Sequence, residues 1–518
     1  MFRISPPTSH PAHPSQMNKL FVWSVVLAST LFASVSFAQE SSGRPNVLMI
    51  CIDDLNDWVE PLGGHPQVQT PAMQALAERG MTFTNAHCQS PLCNSSRTSL
   101  MLSLRPSTTG IYGLAPWFRN LPEWKDRVAL PQHFKAHGYR TYSAGKVYHG
   151  RYGRDKTEFD EIGPPGVAGV KPPEKLIPMT PVGDHPLMDW GVFDHRDEDK
   201  GDYIVADWVT EKLSAMPDDE PFFMSCGFFL PHVPCHVTPK WWELYDDETL
   251  QLPPYRSDDR LDCSPFSWYL HWELPEPRMS WLEAHDQQKN LVHSYLACIS
   301  FVDSQVGRVL AALEESPHRD NTIICLWSDH GWHLGEKNVT GKNTLWERST
   351  HVPLIFAGPG IARGRTQSPA ELLDIYPTLA ELTGSPAPKD VEGRSLVTQI
   401  QSPNQIRQTP AITDHNPGNQ GIKGERYRLI RYADGSEELY DVINDPNEFE
   451  NLIGHAEHAD AAQRLRQFVR SDPAPLAKNS QHRVLEKKAD GWYWEHKKID
   501  PSNPPMSIAP NQPSDLSR

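Results

Sequence analysis

The sequence has no disulfide framework. Its 518 residues include only eight cysteines, and their spacing follows no regular pattern. Cys51 and Cys325 lie inside apolar runs that are typical of buried strands. Cysteines in such positions act as small hydrophobic residues, so we expect most of the eight to be buried in this way. They are Cys51, Cys88, Cys93, Cys226, Cys235, Cys263, Cys298 and Cys325.

A basic excess is also missing. The 65 acidic residues outnumber the 49 basic ones, which gives a formal net charge of -16. Nucleic-acid-binding proteins usually carry the opposite balance, so nucleic acid is excluded as a partner. An acidic surface also repels anions at a distance. A site for an anionic substrate would therefore need its own Lys, Arg and His side chains.

Long apolar runs are absent beyond the amino terminus. Residues 1–38 contain a lysine, an apolar run and the small residues Ser36 and Ala38 at the end. This order is typical of a secretory signal, and Met17, just before the lysine, is the expected true start. A membrane anchor is the alternative, but the run is short for a span of ~20 residues. We therefore predict a secreted or periplasmic protein with no membrane attachment after cleavage.

The middle of the chain alternates between strand and helix patterns. Apolar stretches predict strands at residues 46–52, 141–143, 221–229 and 322–327. Helical spacing predicts helices at 70–79, 130–138, 203–216 and 291–313. A polar loop precedes Thr98, and residues 150–200 form a polar insertion rich in Pro and Gly. Continuous apolar strands are typical of parallel sheets covered on both faces, so residues 39–400 are predicted to be an α/β domain.

The pattern changes after residue 400. Short alternating strands are predicted at 409–413, 427–432 and 437–440, followed by a helix at 456–469. Asp434-Gly435 between two of the strands is a hairpin turn signal. We predict a small C-terminal subdomain, residues 401–471, with an antiparallel sheet and one helix. The Pro-rich tail, residues 472–518, is expected to wrap the surface.

Polar residues follow the predicted strands directly. Asp53 and Asp54 come after the first strand, His232 after the third, and Asp329 and His330 after the last. Ligands of open α/β sheets bind outside the carboxyl ends of the strands, so these residues are expected to converge. An acidic pair alone is more often a loop or a helix cap, but the second pair favours a shared site.

The segment from Cys93 to Arg97 carries the most specific motif. Cys93-Asn-Ser-Ser-Arg97 resembles the Cys-x-Pro-Ser-Arg signature of type I sulfatases, in which the cysteine is oxidised to formylglycine. Further stretches match the family in order within residues 44–455, among them Asp53-Asp54, Thr70-Pro71 and Pro231-His-Val-Pro234. Three stretches are similar to the iduronate-2-sulfatase subgroup: Gly145-Lys-Val-Tyr-His149, Ser328-Asp-His-Gly-Trp-His-Leu-Gly-Glu336 and Thr350-His-Val-Pro-Leu354. The resemblance implies an alkaline-phosphatase-like α/β domain, a small C-terminal subdomain and hydrolysis of sulfate esters.

The resemblance also implies a mechanism. Hydrated formylglycine offers two hydroxyls: one attacks sulfur and expels the alcohol, and the other loses its proton so that sulfate leaves, which divides the reaction into two easier steps. Arg97 and Lys146 would neutralise the formylglycine oxygens and the sulfate, and His149 would take the proton of the second hydroxyl. His232 and Lys342 would hold the sulfate and protonate the leaving oxygen. Taken alone, each of these residues is more often a surface group.

A divalent cation is the expected cofactor. The carboxylates of Asp53, Asp54 and Asp329 suit a hard cation with oxygen ligands. The resemblance adds His330 and residue 93 as ligands, although an imidazole departs from the oxygen preference of calcium. Calcium is expected because relatives use it, with magnesium as the alternative. The cation would polarise the sulfate and lower the pKa of the nucleophile.

One position departs from the signature, and two other functions remain open. Ser95 stands where the family has Pro, which presets the backbone, so recognition by the formylglycine-generating maturation enzyme, the expected partner, is in doubt. One alternative is a phosphodiesterase or phosphonate hydrolase of the same superfamily. The other is a non-catalytic binder of sulfated glycans in which Cys93 stays unconverted.

The expected substrate is a sulfated carbohydrate, cleaved one sulfate at a time from a chain end or a short oligosaccharide. The signal segment and the subgroup resemblance favour it. The insertion at 150–200 adds side chains that could line a sugar pocket, although a solvated surface is the alternative for that loop. These side chains are Lys171, Lys175, Asp189, Trp190 and His195.

Overall fold

The computed structural model describes residues 43–178, 180, 184–217 and 220–505. The predicted signal segment lies outside the described residues. All eight cysteines lie within them, and each is buried and unpaired. The expectation that the cysteines are buried hydrophobic residues is therefore confirmed.

Strands and helices alternate up to about residue 400, and short strands follow. The strands are β1 (Asn46–Asp53), β2 (Gly80–Phe83), β3 (Ala86–His87), β4 (Arg140–Gly145), β5 (Glu161–Pro165), β6 (Trp190–Val192), β7 (Phe222–Pro231), β8 (Cys235–Val237), β9 (Thr322–Ser328), β10 (His333–Leu334), β11 (Thr340–Gly341), β12 (Leu354–Ala357), β13 (Gly364–Thr366), β14 (Ala370–Glu371), β15 (Ala411–Asp414), β16 (Gln420–Lys423), β17 (Tyr427–Arg431), β18 (Glu437–Asp441), β19 (Leu485–Lys488), β20 (Gly491–Trp494) and β21 (Lys497–Lys498). The helices are α1 (Pro71–Arg79), α2 (Cys93–Leu102), α3 (Pro106–Thr109), α4 (Leu130–Ala136), α5 (Gly201–Ala215), α6 (Pro239–Trp242), α7 (Met279–Ala284), α8 (Gln288–Glu315), α9 (Glu347–Thr350), α10 (Ile375–Leu382), α11 (Val397–Gln401) and α12 (Ala459–Arg466).

A mixed sheet forms the centre of the described residues, with eight strands in the order β13-β2-β12-β9-β1-β7-β4-β5. β1 pairs in parallel with β7 on one side and with β9 on the other, and β4 is parallel to β7. β12 is antiparallel to β9 and β2. Every residue of β1 and β9 is buried, as expected for inner strands with helices on both faces. The predicted α/β class is confirmed.

The side chains of β1 alternate between two cores. Leu48 and Ile50 pack on the face that is covered by α1, α5 and α8. Val47 and Met49 pack on the opposite face, which α2, α4 and α10 cover. Helix α8 has 28 residues and is long and apolar enough to cross a membrane, but 72% of its most apolar window is buried inside the protein. The core helix of a folded protein can be equally long and apolar. This run, which the sequence analysis did not expect, is therefore explained by its burial in the protein core.

Three regions differ from the sequence prediction. Helix α2 begins at Cys93, where a polar loop was expected. The insertion at 150–200 supplies β5, which pairs with β4 at the edge of the main sheet. Its sequence, Glu-Ile-Gly-Pro-Pro, contains two prolines, which an edge strand tolerates because one side of it is unpaired. The tail beyond Asp472, for which no strand was predicted, forms the antiparallel sheet β19-β20-β21.

The C-terminal antiparallel sheet is confirmed. It has the order β15-β16-β17-β18, and the turn at Asp434-Gly435 joins β17 to β18, with Gly435 at φ +98°. Strand β16 was not predicted, because Gln420–Lys423 contains a glycine and only one apolar residue. Helix α12 covers the middle of the predicted 456–469 segment.

Asp303 of α8 caps helix α1 from a distance, which predicts a stability effect. Thr70 precedes α1 but makes no side-chain cap. Instead, the carboxylate of Asp303 accepts hydrogen bonds from the amides of Ala72 and Met73, both at 2.9 Å. We expect Asp303→Ala to lower the free energy of unfolding by about 2–3 kcal/mol, because it leaves two donors unsatisfied.

Denaturant unfolding of the purified chain measures this effect. The control is Ser304→Ala on the same helix, whose hydroxyl bonds only within its own turn, to the carbonyl of Phe301 and to the side chain of Gln305. It should cost less than about 1 kcal/mol. Equal stability of wild type and Asp303→Ala would show that the distant cap does not hold α1.

Candidate active site

The carboxyl ends of β1 and β9 bring three acidic side chains together. β1 ends at Asp53, with Asp54 next, and Asp329 follows β9. The amide of Asp54 donates to Asp329 Oδ1 at 3.1 Å. His330 Nε2 lies 3.4 Å from Asp54 Oδ1 and 3.5 Å from Asp329 Oδ2. The four residues form one buried cluster, as their positions after the strands predict.

Asp54 has a left-handed backbone that a tyrosine holds in place. Its φ is +59°, which is uncommon for a residue other than glycine. Tyr295 of α8 donates its hydroxyl proton to the Asp54 carbonyl at 2.7 Å and accepts the amide of Asn56 at 3.1 Å. Such a conformation persists where the surroundings fix it, often at functional sites. The core helix α8 thus sets the turn that carries this carboxylate.

Cys93 is the first residue of α2 and lies against the acidic cluster. Its Sγ is 3.1 Å from Lys342 Nζ, 3.3 Å from His330 Nε2 and 3.8 Å from Lys146 Nζ. Burial acts to raise the pKa of the thiol, but the charges of Lys146 and Lys342 outweigh it and lower that pKa. A thiol at a helix amino terminus beside cations is activated for reaction.

Arg97 lies one turn further along α2 and is fully buried. Its Nε donates to Asp329 Oδ2 at 2.8 Å and its Nη2 to Asp53 Oδ1 at 3.0 Å, while Nη1 donates to the carbonyls of Lys146 and Val147. It does not line the cavity described next. Arg97 therefore holds the carboxylates in place from beneath the cavity. Its expected role, to neutralise the formylglycine oxygens and the sulfate, stays a prediction.

A cavity of about 690 Å³ opens onto Cys93. Lys146, His149, His232 and Lys342 line it together with Cys93. Lys342 Nζ is 2.7 Å from Asp54 Oδ1, and Lys146 forms an ion pair with Asp53. The structure therefore brings five of the six expected catalytic side chains to one cavity, with Arg97 beneath it.

The two cavity histidines that were predicted as catalytic, His149 and His232, have lowered pKa values. Burial, followed by the charge of Lys146, lowers the pKa of His149 to about 3. Its Nδ1 is buried and has no hydrogen-bond partner within the described residues. Burial, together with Lys146 and Lys342, also lowers the pKa of His232, whose Nε2 is 4.0 Å from Asp54 Oδ2. Neutral imidazoles in this position are able to accept a proton.

The cluster fits a divalent cation. One ligand atom from each of Asp53, Cys93, Asp329 and His330 lies within 4.8 Å of the others, and the same holds for the set of Asp53, Asp54, Cys93 and His232. Asp54 Oδ2 is buried without a hydrogen-bond partner among the described residues. Carboxylate oxygens are the ligands that hard cations prefer, and an orphaned buried oxygen in such a cluster is what a cation would satisfy.

The pKa values of the cluster agree with this fit. Burial raises the pKa of Asp54 to about 8, and the charge of Asp53 adds to it against the opposing charge of Lys342. Burial acts to lower the pKa of His330, but Asp329 reverses this and raises it to about 9. The cluster therefore holds protons near neutral pH, and a bound cation would displace them, as metal binding to protonated ligands generally does.

The rest of the cavity wall differs from the sequence prediction. The insertion contributes to it, but through His185, Leu187 and Met188. Of the side chains expected there, Asp189 binds His236 at 2.9 Å and Trp190 is buried in the core. Lys171, Lys175 and His195 are likewise absent from the lining. The predicted residues instead stabilise the insertion or face solvent.

Several lining residues were not predicted at all. Trp332 follows the second metal-site pair, and the others come from two distant segments: Glu273 and Glu276 before α7, and His482, Arg483, Trp494, Glu495 and Lys497 in the tail. A signal for the tail was present, because Asp490-Gly491 between two short strand-like stretches is a hairpin pattern. No local signal marks Glu273 or Glu276.

Comparison with known proteins gives consistent matches. The family model described as Sulfatase matches residues 45–385, and the model described as N-sulphoglucosamine sulphohydrolase, C-terminal, matches residues 335–472. A protein named Sulfatase from Formosa agariphila is 42% identical over 447 residues, which cover 83% of this chain and 87% of that protein. Iduronate 2-sulfatase from Homo sapiens is 29% identical over 424 residues, covering 72% and 76%.

A solved structure shows the same fold. The phosphonate monoester hydrolase of Agrobacterium radiobacter superposes with a TM-score of 0.67 at 19% sequence identity, and the match covers 87% of this chain and 99% of that one. The alkaline-phosphatase-like fold expected from the sequence is therefore confirmed. Both family models end by residue 472, so the tail sheet lies outside them.

The acidic cluster predicts a stabilising divalent cation. Calcium at a hundred times its dissociation constant should raise the free energy of unfolding by about 2.7 kcal/mol, and elemental analysis should find about one cation per chain. Asp329→Asn keeps the side-chain shape but removes a charged ligand, so the calcium-dependent rise in Tm should disappear.

The control is Asp189→Asn, a buried carboxylate that pairs with His236 away from the cluster. Its Tm should still rise with calcium. An undiminished calcium effect in Asp329→Asn would place the cation outside this cluster.

Proposed function

Because the chain belongs to the sulfatase family, and is therefore a sulfuric ester hydrolase, we propose that it cleaves sulfate esters of carbohydrates through a formylglycine formed from Cys93. The observation that carries the proposal is the setting of Cys93. Its Sγ lies within 4.0 Å of Lys342, His330, Lys146 and Asp54 at the floor of a cavity. A nucleophile, two cations and a metal-binding cluster thus meet at one point.

Formylglycine would arise from Cys93 by oxidation, with the oxidant supplied by a separate maturation enzyme. Once hydrated, this residue would supply one hydroxyl to attack sulfur and a second whose proton loss releases sulfate. Ser95, which replaces the Pro of the signature, donates its hydroxyl to Ser90 Oγ at 2.6 Å. Its side chain therefore fits the folded helix, so any effect of Ser95 falls on maturation rather than on the finished site.

The side chains around Cys93 divide the remaining tasks. Lys342 and Lys146 approach Sγ from the cavity and would neutralise the charge of the nucleophile and of the sulfate. His149, neutral and with Nδ1 unpartnered in the described chain, would accept the proton of the second hydroxyl. His232 would protonate the leaving oxygen. A sulfate anion beside its imidazole favours the protonated form, so binding of the substrate would charge the acid that the reaction needs.

Asp53, Asp54, Asp329 and His330, with residue 93, would hold the divalent cation, for which we propose calcium. The cation would polarise the sulfate and lower the pKa of the attacking hydroxyl. Arg97 pairs with two of these carboxylates and so helps to align them.

A carbohydrate substrate is supported by the shape of the cavity and by the matched relatives. Residues of the insertion and of the tail both line the cavity, and its volume of about 690 Å³ suits a sugar unit rather than a long polymer. One relative is named for the 2-sulfate of iduronate. With the signal-like residues 1–38, this supports an enzyme that is secreted or periplasmic and acts on chain ends or short oligosaccharides.

Phosphonate or phosphodiester hydrolysis is the competing activity. The likeness to a phosphonate monoester hydrolase is at 19% identity and shows the fold alone. A non-catalytic glycan binder would not need the complete set of carboxylates, lysines and histidines that the cavity retains, because binding requires no nucleophile or proton acceptor.

Conversion of Cys93 is the first test of this proposal. Tryptic mass spectrometry of the active protein from its native host should show an aldehyde in place of the thiol, which a hydrazide traps. Cys93→Ala should remain folded and lose at least about 10³-fold in kcat, since the nucleophile is removed. Fully active protein with only the thiol form would contradict the formylglycine mechanism.

The substrate class is the second test. Sulfate release should be measured from fragments of glycosaminoglycan, carrageenan, ulvan and fucoidan, intact and pre-digested, beside 4-nitrophenyl sulfate, choline sulfate and a matched phenyl phosphonate. We expect release mainly from pre-digested fragments of one polymer, because a cavity of about 690 Å³ has room for a chain end but not for a long polymer. Turnover of choline or aryl sulfate alone would exclude the carbohydrate, and preference for the phosphonate would favour the competing activity.

A further inference from the structure

One wall of the catalytic cavity is built by chain that lies outside both family models. The models reach no further than residue 472. His482, Arg483, Trp494, Glu495 and Lys497 nevertheless line the same cavity as Cys93. The reacting groups therefore belong to the shared domain, whereas this wall is a feature of the tail. Cavity residues outside the shared domain can set substrate preference, because the reacting groups do not depend on them.

Hydrogen bonds fix the tail relative to the helix that carries the nucleophile. Asn94 of α2 donates from its side chain to the carbonyl of Gly113 at 3.0 Å. The next residue, Leu114, donates its amide to the carbonyl of His482 at 3.1 Å. Arg483 follows directly. These two hydrogen bonds fix the position of Arg483 relative to α2.

The backbone at Arg483 is held in a conformation that its sequence disfavours. His482 and Arg483 have φ values of +62° and +71°. The carboxylate of Glu495 accepts the amides of His482 at 3.3 Å and Val484 at 2.9 Å. The side chain of Asn416 donates to the Arg483 carbonyl at 3.2 Å. Consecutive left-handed residues other than glycine persist only where the surroundings fix them, and they concentrate at binding sites.

The N–H donors of the Arg483 guanidinium make no hydrogen bond within the described residues. Within the part of the chain that the structure describes, its side chain makes one ion pair, at 3.8 Å to Glu276 Oε1, and no hydrogen bond. The other cations of the cavity are engaged more closely: Lys497 lies 2.9 Å from Glu273, and the two lysines beside Cys93 pair with the acidic cluster. A guanidinium offers five N–H donors, so Arg483 is the cation most able to receive a further anion.

We propose that Arg483 binds a second acidic group of the substrate, so that the preferred substrate is a doubly anionic sugar: one sulfate at Cys93 and one carboxylate or second sulfate at Arg483. The inference rests on the proposed function of the cavity. The planar guanidinium matches a carboxylate or a sulfate with two parallel hydrogen bonds. An incoming anion would take donors that Glu276, at 3.8 Å, leaves unused. The carboxylate of Glu495 does not compete, because two backbone amides occupy it.

The test is competition against hydrolysis of 4-nitrophenyl sulfate by the mature enzyme. The competitors are iduronate 2-sulfate, glucosamine N,6-disulfate and, as the singly charged sugar, glucose 6-sulfate. In the wild type we expect the Ki of at least one doubly charged competitor to be at least about tenfold below that of glucose 6-sulfate. Arg483→Ala should raise that Ki about 10- to 100-fold. It should leave kcat for 4-nitrophenyl sulfate and the Ki of glucose 6-sulfate within about twofold.

Three further variants separate a specific role from a structural one. Arg483→Asn should match the Ala variant, since Asn tolerates the left-handed backbone. Arg483→Lys should keep part of the affinity for the doubly charged competitor, because lysine retains the positive charge but cannot form two parallel hydrogen bonds. Lys497→Ala, a cation of the same wall that already has a close partner, should have less than about a threefold effect.

The outcomes show which acidic group Arg483 binds, and they separate failure of this inference from failure of the proposed function. If Arg483→Ala raises only the Ki of iduronate 2-sulfate, Arg483 binds a carboxylate. If it raises only the Ki of glucosamine N,6-disulfate, Arg483 binds a second sulfate. Normal hydrolysis with no preference for doubly charged sugars, or an equal change for all competitors in Arg483→Ala, would overturn this inference alone. Absence of sulfate ester hydrolysis in the mature wild type would count against the proposed function itself.

Discussion

The centre of the molecule depends on one buried charge, the guanidinium of Arg97. It joins Asp53 at the end of β1, Asp329 after β9 and the backbone after β4 to the helix that begins with Cys93. A buried cation is tolerated only when carboxylates and carbonyls satisfy it, and removal of one partner leaves an uncompensated charge at high cost. The same bonds therefore hold the strand ends together and fix the distance between the nucleophile and the metal cluster.

Residues near the strand ends were predictable from the sequence because their pattern is local. The apolar runs of β1, β7 and β9 end where Asp53, His232 and Asp329 begin, and parallel pairing brings those ends to one edge. The Cys93 motif and its lysine and histidine partners were found by resemblance, and of the six side chains predicted as catalytic all but Arg97 line the cavity. The α/β class and the C-terminal sheet follow from periodicity alone.

The remaining features depend on contacts between distant segments, which a single sequence does not show. The ion pairs of Arg97 with Asp53 and Asp329 were not predicted, because these partners lie 44 and 232 residues away in the chain. Asp189 and Trp190 have the composition of a sugar site, yet Asp189 pairs with His236 and Trp190 packs in the main core. The tail was predicted only to be Pro-rich and to wrap the surface, and its hairpin, across which Leu485 and Trp494 pair, was not predicted.

The burial of α2 bears on the order in which Cys93 is modified and the chain folds. Every residue from Cys93 to Leu102 is at most 1% exposed, and Arg97 beneath it is locked by its ion pairs. An enzyme that reads this stretch as an extended segment could not bind it once α2 is docked. Modification by such an enzyme would therefore precede the packing of α2 against the sheet. A chain that folded before it was modified would keep Cys93 as a thiol, so the relative rates of folding and modification would determine how many molecules become enzymes.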